Sequence, residues 1–273
     1  MTSTAGGEDD TLEIALAGGV ANAGAVTRRG RFVLRPSSPQ TPTIHRFLSA
    51  LAEAGFAGAS VPDGIEPDGR ERLLHVPGDV PLVPYPEWAQ SDDTLASVVA
   101  LLREFHVAAG RVPRDLADRW SDEMADPSGG TIVCHNDVCL ENVVFREGRA
   151  VALLDFDFAA PGRPIYDLAA LARMCVPIDD ESRARFGWRP ADLPLRLRLV
   201  ADTYRLEPAG RRVLLEALDD AMARGGEFLR RRVAAGDVNF ATMWEEGGGL
   251  ARFDRRRAWW ATSRPTFATA LRL

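Results

Sequence analysis

The chain has 273 residues, 46% of them hydrophobic, enough for one large domain or two modest lobes, so a soluble globular protein is expected. Its 33 basic and 39 acidic residues leave a net charge of -6, which argues against nucleic acid as a main partner. All 33 cations are arginine; the absence of lysine fits a coding bias toward Arg, Ala and Gly, and it excludes Schiff-base chemistry and the P-loop pattern GxxxxGK[ST].

Residues 1–10 are small and acidic, with neither a basic nor an apolar signal region, and read as a disordered tail. Thr11 to Leu16 reads as a strand, followed by a turn at Gly18 and Gly19. Ala23 to Thr27 and Arg31 to Arg35 then read as a strand pair turning at Arg28 to Gly30, ended by Pro36. Ile44, Phe47, Leu48, Leu51 and Ala54 repeat at helical spacing, which predicts a helix from Thr43 to Gly55. Val61 to Ile65 and Arg70 to Val76 complete a five-stranded sheet with one helix. The Pro-rich stretch after it, Pro77 to Pro86, is stiff and extended and suits a connection.

Beyond the connection the pattern is mainly helical. A helix capped by Ser91 or Asp92 buries Leu95, Val98, Val99, Leu102 and Phe105, and further helical patterns cover 191–205, 208–233 and 250–272. Strands are expected at Thr131 to Cys134 and Ala150 to Phe158, with a hairpin arm at Val143 to Phe145. The organisation is therefore a tail (1–10), a sheet lobe (11–76), a linker (77–90) and a helical lobe (91–273). Charge divides unevenly: residues 1–178 hold 15 Arg and 25 acidic residues, and the rest hold 18 and 14. Cys134, Cys139 and Cys175 form no CxxC pair, so neither a disulfide framework nor a zinc site is indicated, and a cytoplasmic location is the default. No apolar run approaches the length of a membrane span.

The densest polar cluster in an apolar setting runs from Ile132 to Phe145 and resumes at Leu153. On a continuous strand Asp155 and Asp157 share one face, and with no arginine nearby in sequence their repulsion calls for a hard cation. The amide oxygen of Asn142 completes a small all-oxygen set of the kind Mg2+ accepts together with phosphate oxygens and water. Asp137, directly after a strand and five residues before Asn142, is placed to accept a proton from an incoming hydroxyl. Asp-x-x-x-x-Asn followed by a strand-end Asp is the arrangement of kinase phosphoryl transfer.

His135-Asn-Asp137-x-x-x-x-Asn142-x-x-Phe145, then Leu153-Leu-Asp155-Phe-Asp157 through Pro161-Gly162 to Asp167-Leu-Ala169, resembles the aminoglycoside phosphotransferase and choline kinase-like family. The resemblance extends over most of the chain. It implies an α+β, bilobal, protein-kinase-like fold that binds ATP or GTP between its lobes and transfers the γ-phosphoryl group to a small molecule. By motif position it implies Asp137 as base, Asn142 and Asp155 as Mg2+ ligands with Asp157 assisting, and His135 and Asp167 as braces of the catalytic loop. The segment Leu74 to Gly78, with Leu74 and Val76, would be the hinge that reads the base.

Such kinases hold the phosphates with a lysine on the third strand, paired to a glutamate on the next helix. Here the strand ends in Arg35 and the helix presents His45, so both members differ. Arginine retains the charge and can fork onto two phosphate oxygens, which would release it from needing the glutamate; the alternative is a weakened nucleotide site. Gly18, Gly19 and Gly24 read equally as a phosphate-covering loop or a tight turn. His75 and His106 read as surface or satisfied core residues, Cys134 and Cys139 as small hydrophobes, and Trp244, Trp259 and Trp260 as core before substrate wall. Glu245 and Glu246 would suit a cationic acceptor, against which the basic balance of the tail argues. The expected activity is Mg2+-dependent transfer to a hydroxyl of an antibiotic or other metabolite, with no nucleic-acid or membrane partner. Two alternatives stand beside it: a non-catalytic nucleotide-binding protein on the same fold, and a metal-dependent hydrolase using His135, Asp137, Asp155 and Asp157.

Overall fold

The computed structural model describes residues 12–16, 24–115, 117–180, 183–184 and 187–273. The expected tail and the turn at Gly18 and Gly19 lie outside them. Strands β1 (Glu13–Ala15), β2 (Thr27–Arg29), β3 (Phe32–Pro36), β4 (Pro62–Ile65) and β5 (Arg70–Leu74) form one antiparallel sheet in the order β1-β2-β3-β5-β4. The β2–β3 turn is displaced from the expected one: Arg29 pairs with Phe32, so Gly30 and Arg31 make the turn. Gly30 takes φ 57°, which a residue without Cβ adopts freely, and this leaves Arg28 and Arg29 in the strand.

Helix α1 (Thr41–Glu53) follows β3, starting two residues before Thr43 because Pro42 suits a first helical turn. It buries Ile44, Phe47, Leu48 and Leu51. The connecting stretch is tied down by Asp79, whose N–H and C=O each bond Phe145 at 2.8 Å, and a single 3-10 turn covers Glu87–Gln90. Helix α2 (Asp92–Ala109) begins where the Ser91 hydroxyl accepts the Thr94 N–H at 3.1 Å.

The larger lobe continues with β6 (Ile132–Cys134), β7 (Val143–Arg146), β8 (Arg149–Leu153), β9 (Ala160–Gly162), α3 (Pro164–Cys175), α4 (Leu193–Tyr204), α5 (Pro208–Ala234), α6 (Val238–Glu246) and α7 (Gly249–Ala270). β7 and β8 form the expected hairpin, and β6 pairs with β9. Three of these elements have no clear signature in the sequence. β9 is Ala-Pro-Gly, without a residue that favours strands. α3 buries Tyr166, Asp167, Leu168, Ala169, Ala170, Leu171 and Ala172 in succession, so it shows no stripe at helical spacing. α6 is nine residues long and buries only Phe240.

The continuous strand expected from 150 to 158 is also corrected. β8 stops at Leu153, Asp155 is left-handed at φ 59° and ψ 72°, and Phe156–Phe158 is a 3-10 turn. The cause lies in the bonding of Leu154: its N–H goes to the Asn142 carbonyl and its own carbonyl receives His135 Nε2, both at 2.8 Å.

Phe105 joins the lobes. Fully buried on α2, its ring lies 6.2 Å from Phe47 of α1, 5.8 Å from Phe56 and 5.8 Å from Phe156 beside the acidic turn. Phe105→Ala should therefore cost about 3–5 kcal/mol of stability in denaturant unfolding, and Phe105→Leu markedly less; equal losses would show that the ring contacts do not matter.

Candidate active site

Asp167, completely buried in the first turn of α3, organises the loop that follows β6. Oδ2 accepts the His135 N–H at 2.7 Å and Oδ1 the Asn136 N–H at 2.8 Å. His106 Nε2 donates to Oδ2 at 2.9 Å, and His106 Nδ1 bonds the Tyr204 hydroxyl at 2.6 Å. Burial alone would raise this carboxyl, but the hydrogen bonds it accepts from His106 and from the His135 backbone hold it below its usual range. His106, read as a satisfied core residue, is thus a second brace; only the three-dimensional meeting of α2 and α3 reveals it.

His135 is fully committed. Nε2–H donates to Leu154 O at 2.8 Å and Nδ1 accepts the Asp137 N–H at 3.3 Å, which defines a neutral tautomer consistent with a pKa lowered by burial. Neither ring nitrogen is free for a metal. Among the described residues the one group of His, Cys and carboxylate atoms within 4.8 Å of one another is His106, Cys134 and Asp167, the brace itself. The hydrolase alternative therefore loses its histidine.

Asp137 and Asn142 are held together. Asn142 Nδ2 donates to Asp137 O at 2.9 Å and Oδ2 at 3.2 Å, which leaves the Asn142 amide oxygen as an open acceptor. Burial, with the nearby Asp155 charge adding to it, raises the Asp137 carboxyl to about 7, although Arg173 opposes the shift.

Arg35 is the central departure from expectation. Its Nε donates to Glu71 Oε1 at 2.5 Å, Nη1 to Asp155 Oδ1 at 2.9 Å, and Nη2 makes a short contact with Asp157 Oδ1. The two aspartates are thus not free of an arginine, and Arg35 is not free of a glutamate. That glutamate comes from the neighbouring strand, where β3 and β5 place Arg35 directly opposite Glu71. His45 Nε2 stands 2.7 Å from Glu71 Oε2, so α1 completes the group from the other side. Alternation along Arg70–Leu74 puts Glu71 inward, which was readable; its pairing with Arg35 was not, since it depends on strand order. Arg35's charge state is reinforced by its three carboxylates against burial. Of the two aspartates, burial acts on both: Arg35 nevertheless keeps Asp155 low, whereas Asp157, which also feels Asp155, is the higher.

A cleft of about 330 Å³ opens between the lobes over this group. Val76, Gly78, Arg35, Asn142 and Asp155 line it, with Val33 and Leu153 supplying apolar walls. Leu74 does not line it, and its N–H is spent on Val61 O at 2.8 Å. The donor set suits a hard divalent cation: three carboxylates face one guanidinium, and Asn142 lines the same cleft as Asp155.

Residues 86–200 match the model of the phosphotransferase enzyme family. Over 267 residues the chain is 28% identical to the trifolitoxin immunity protein of Rhizobium leguminosarum bv. trifolii, covering 95% of this chain and 98% of that one. A choline/ethanolamine kinase family protein from Mesorhizobium loti superposes with a TM-score of 0.64 at 16% identity, covering 97% of this chain and 94% of that one. The macrolide 2'-phosphotransferase of Brachybacterium faecium does so with a TM-score of 0.52 at 16% identity, over 88% and 92% of the two chains. APH(2'')-IIa, solved with gentamicin, gives 0.57 at 13% identity over 89% and 91%. These likenesses bear out the α+β, bilobal, protein-kinase-like fold that the motif implied.

The raised carboxyl is directly measurable. In the metal-free chain the Asp137 side-chain carbon resonance should titrate near pH 7, and a midpoint near the ordinary 3.8 would remove the burial argument. Because the folded state binds this proton more tightly than the unfolded one, the stability it contributes is complete below about 3.8 and lost as pH rises to about 7.

Proposed function

We propose, for a chain whose residues 86–200 carry the phosphotransferase enzyme family's segment on a protein-kinase-like fold, that it transfers the γ-phosphoryl group of ATP or GTP to a hydroxyl of a small molecule. The observation that carries this reading is the pairing of Asp137 with Asn142 on a loop braced by Asp167 and opposite Asp155. The acceptor oxygen attacks the γ-phosphorus, the bond to the bridging oxygen breaks, and the nucleoside diphosphate leaves. Asp137 orients the hydroxyl and takes its proton, and its high pKa matches that task near neutral pH.

Asn142 and Asp155, with Asp157 beside them, would hold Mg2+, which when bound neutralises phosphate charge. Arg35 reaches the same place from β3 and would clamp phosphate oxygens by its fork. Backbone groups of the segment Leu74 to Gly78 would receive the base, Val76 and Gly78 being the members that line the cleft. The small-molecule acceptor and the nucleotide are the partners of this reading, and the cytoplasm is the compartment that supplies the nucleotide. The name of the trifolitoxin immunity protein supports a protective role, in which the acceptor is a toxic compound.

One observation favours a second reading, that of a non-catalytic nucleotide-binding protein: Arg35 is already engaged by three carboxylates. Turnover decides between the two. Asp137→Ala should reduce phosphoryl transfer by about 10²- to 10⁴-fold with nucleotide affinity little changed, and an unaltered rate would remove Asp137 as base. Arg35→Ala should weaken nucleotide binding by at least about tenfold in calorimetry, and equal affinity would take Arg35 out of the phosphate site.

A further inference from the structure

Helix α5 carries two adjacent glycines, Gly225 and Gly226, well inside its 27 residues. Each costs a helix interior about 1 kcal/mol relative to alanine. Space accounts for both. A Cβ on Gly225 would lie 3.1 Å from Cζ and Nη1 of Arg173, and one on Gly226 would lie 3.1 Å from the Phe253 ring and 3.9 Å from Nη2 of Arg256. The first glycine makes room for the head of Arg173, and the second for the Phe253 ring on which the Arg256 guanidinium lies.

Both arginines are poorly matched by protein partners. Arg173, from the end of α3, makes no hydrogen bond or ion pair among the described residues, and its Nε is buried without a partner. Arg256, from α7, lies 4.9 Å over the Phe253 ring and reaches only the Met222 carbonyl, at 3.5 Å. Two of the acids that attract them are engaged elsewhere: Asp179 bonds Arg252 at 2.8 Å, and Asp180 faces Arg255 at 3.8 Å. Their attraction still reaches Arg256, yet burial and the charges of Arg173 and Arg252 pull its pKa down to about 10. Burial likewise lowers Arg173, against the attraction of Asp137 first and of Asp179 among others. Both side chains are only half-buried, yet guanidinium groups near one another and short of partners repel, and an oxyanion relieves that repulsion.

We propose that Arg173 and Arg256 anchor an anionic group of the acceptor, a carboxylate or a phosphate, so that its hydroxyl is presented to Asp137. The substrate class is then a hydroxylated acid or phosphate ester rather than a polycation. This rests on the transfer reading above and narrows it: Arg173 acts on both the acceptor and, by its charge, on the base.

The test uses the full chain without nucleotide. Inorganic phosphate, glycerate and their neutral counterpart glycerol are titrated by calorimetry and thermal shift into wild type, Arg173→Gln and Arg256→Gln. Phosphate or glycerate should bind at least about tenfold more tightly than glycerol, and either substitution should remove that preference while ATP and GTP affinity is kept. Preference for phosphate over glycerate identifies a phosphate ester, and the reverse an acid. Anionic and neutral probes binding alike, or a preference that persists in both variants, would overturn the proposal. So would a transfer assay in which kanamycin is the better acceptor and Arg173→Gln leaves it unaffected, an outcome that keeps the transfer reading. Conversely, an anion preference lost in the variants of a chain that binds no nucleotide upholds the anion site and refutes transfer. Should Arg173→Gln not fold, Arg256→Gln alone carries the same readings.

Discussion

A carboxylate at zero exposure must be satisfied completely or it unfolds the chain around it, and Asp167 is such a group. Two successive backbone N–H groups and one imidazole meet its two oxygens, from a loop and from α2. That requirement fixes where the loop after β6 leaves the strand and why Asn136 tolerates a φ of 65°. It also delivers Asp137 to its place, since His135, once anchored, accepts the Asp137 N–H on one nitrogen and reaches Leu154 with the other. The break in β8 that turns Asp155 toward the cleft is the far end of the same chain of bonds.

The second constraint is electrostatic. Glu71, Asp155 and Asp157 are brought within reach of each other from two lobes, and only a cation between them makes their proximity tolerable. Arg35 supplies one charge against three. The remaining excess makes the cleft a place for further positive charge, whereas Asp137 also feels the opposing charge of Arg173, whose head packs on Gly225. Asp137 therefore feels both signs, the Asp155 charge raising its carboxyl and Arg173 lowering it.

Much of this was legible in the residue order because it is local. The spacing from His135 to Asn142, the Ser91 cap and the face of α1 depend on neighbours in sequence, and each stands where the pattern put it. What was hidden depends on contacts between distant segments. Glu71 is 36 residues from Arg35, and His106 is 61 from Asp167. A helix buried on every side, such as α3, has no polar face to set its period against, so Arg173 passed without notice. What Gly225 and Gly226 make room for depends on packing between distant helices, with Arg173 on one and Phe253 on the other.

Arg35, an arginine on the strand where the motif resemblance expects a lysine, also alters how the site answers to its surroundings. An ammonium can shed its proton and become a nucleophile; a guanidinium, held further in its charged form by Glu71, Asp155 and Asp157, does neither while the protein is folded. Acidity changes therefore reach this centre through the groups around Arg35 and not through Arg35 itself. Reagents that label nucleotide sites by acylating a lysine amine find no amine there to attack, and a survey of such sites made with them passes this protein by.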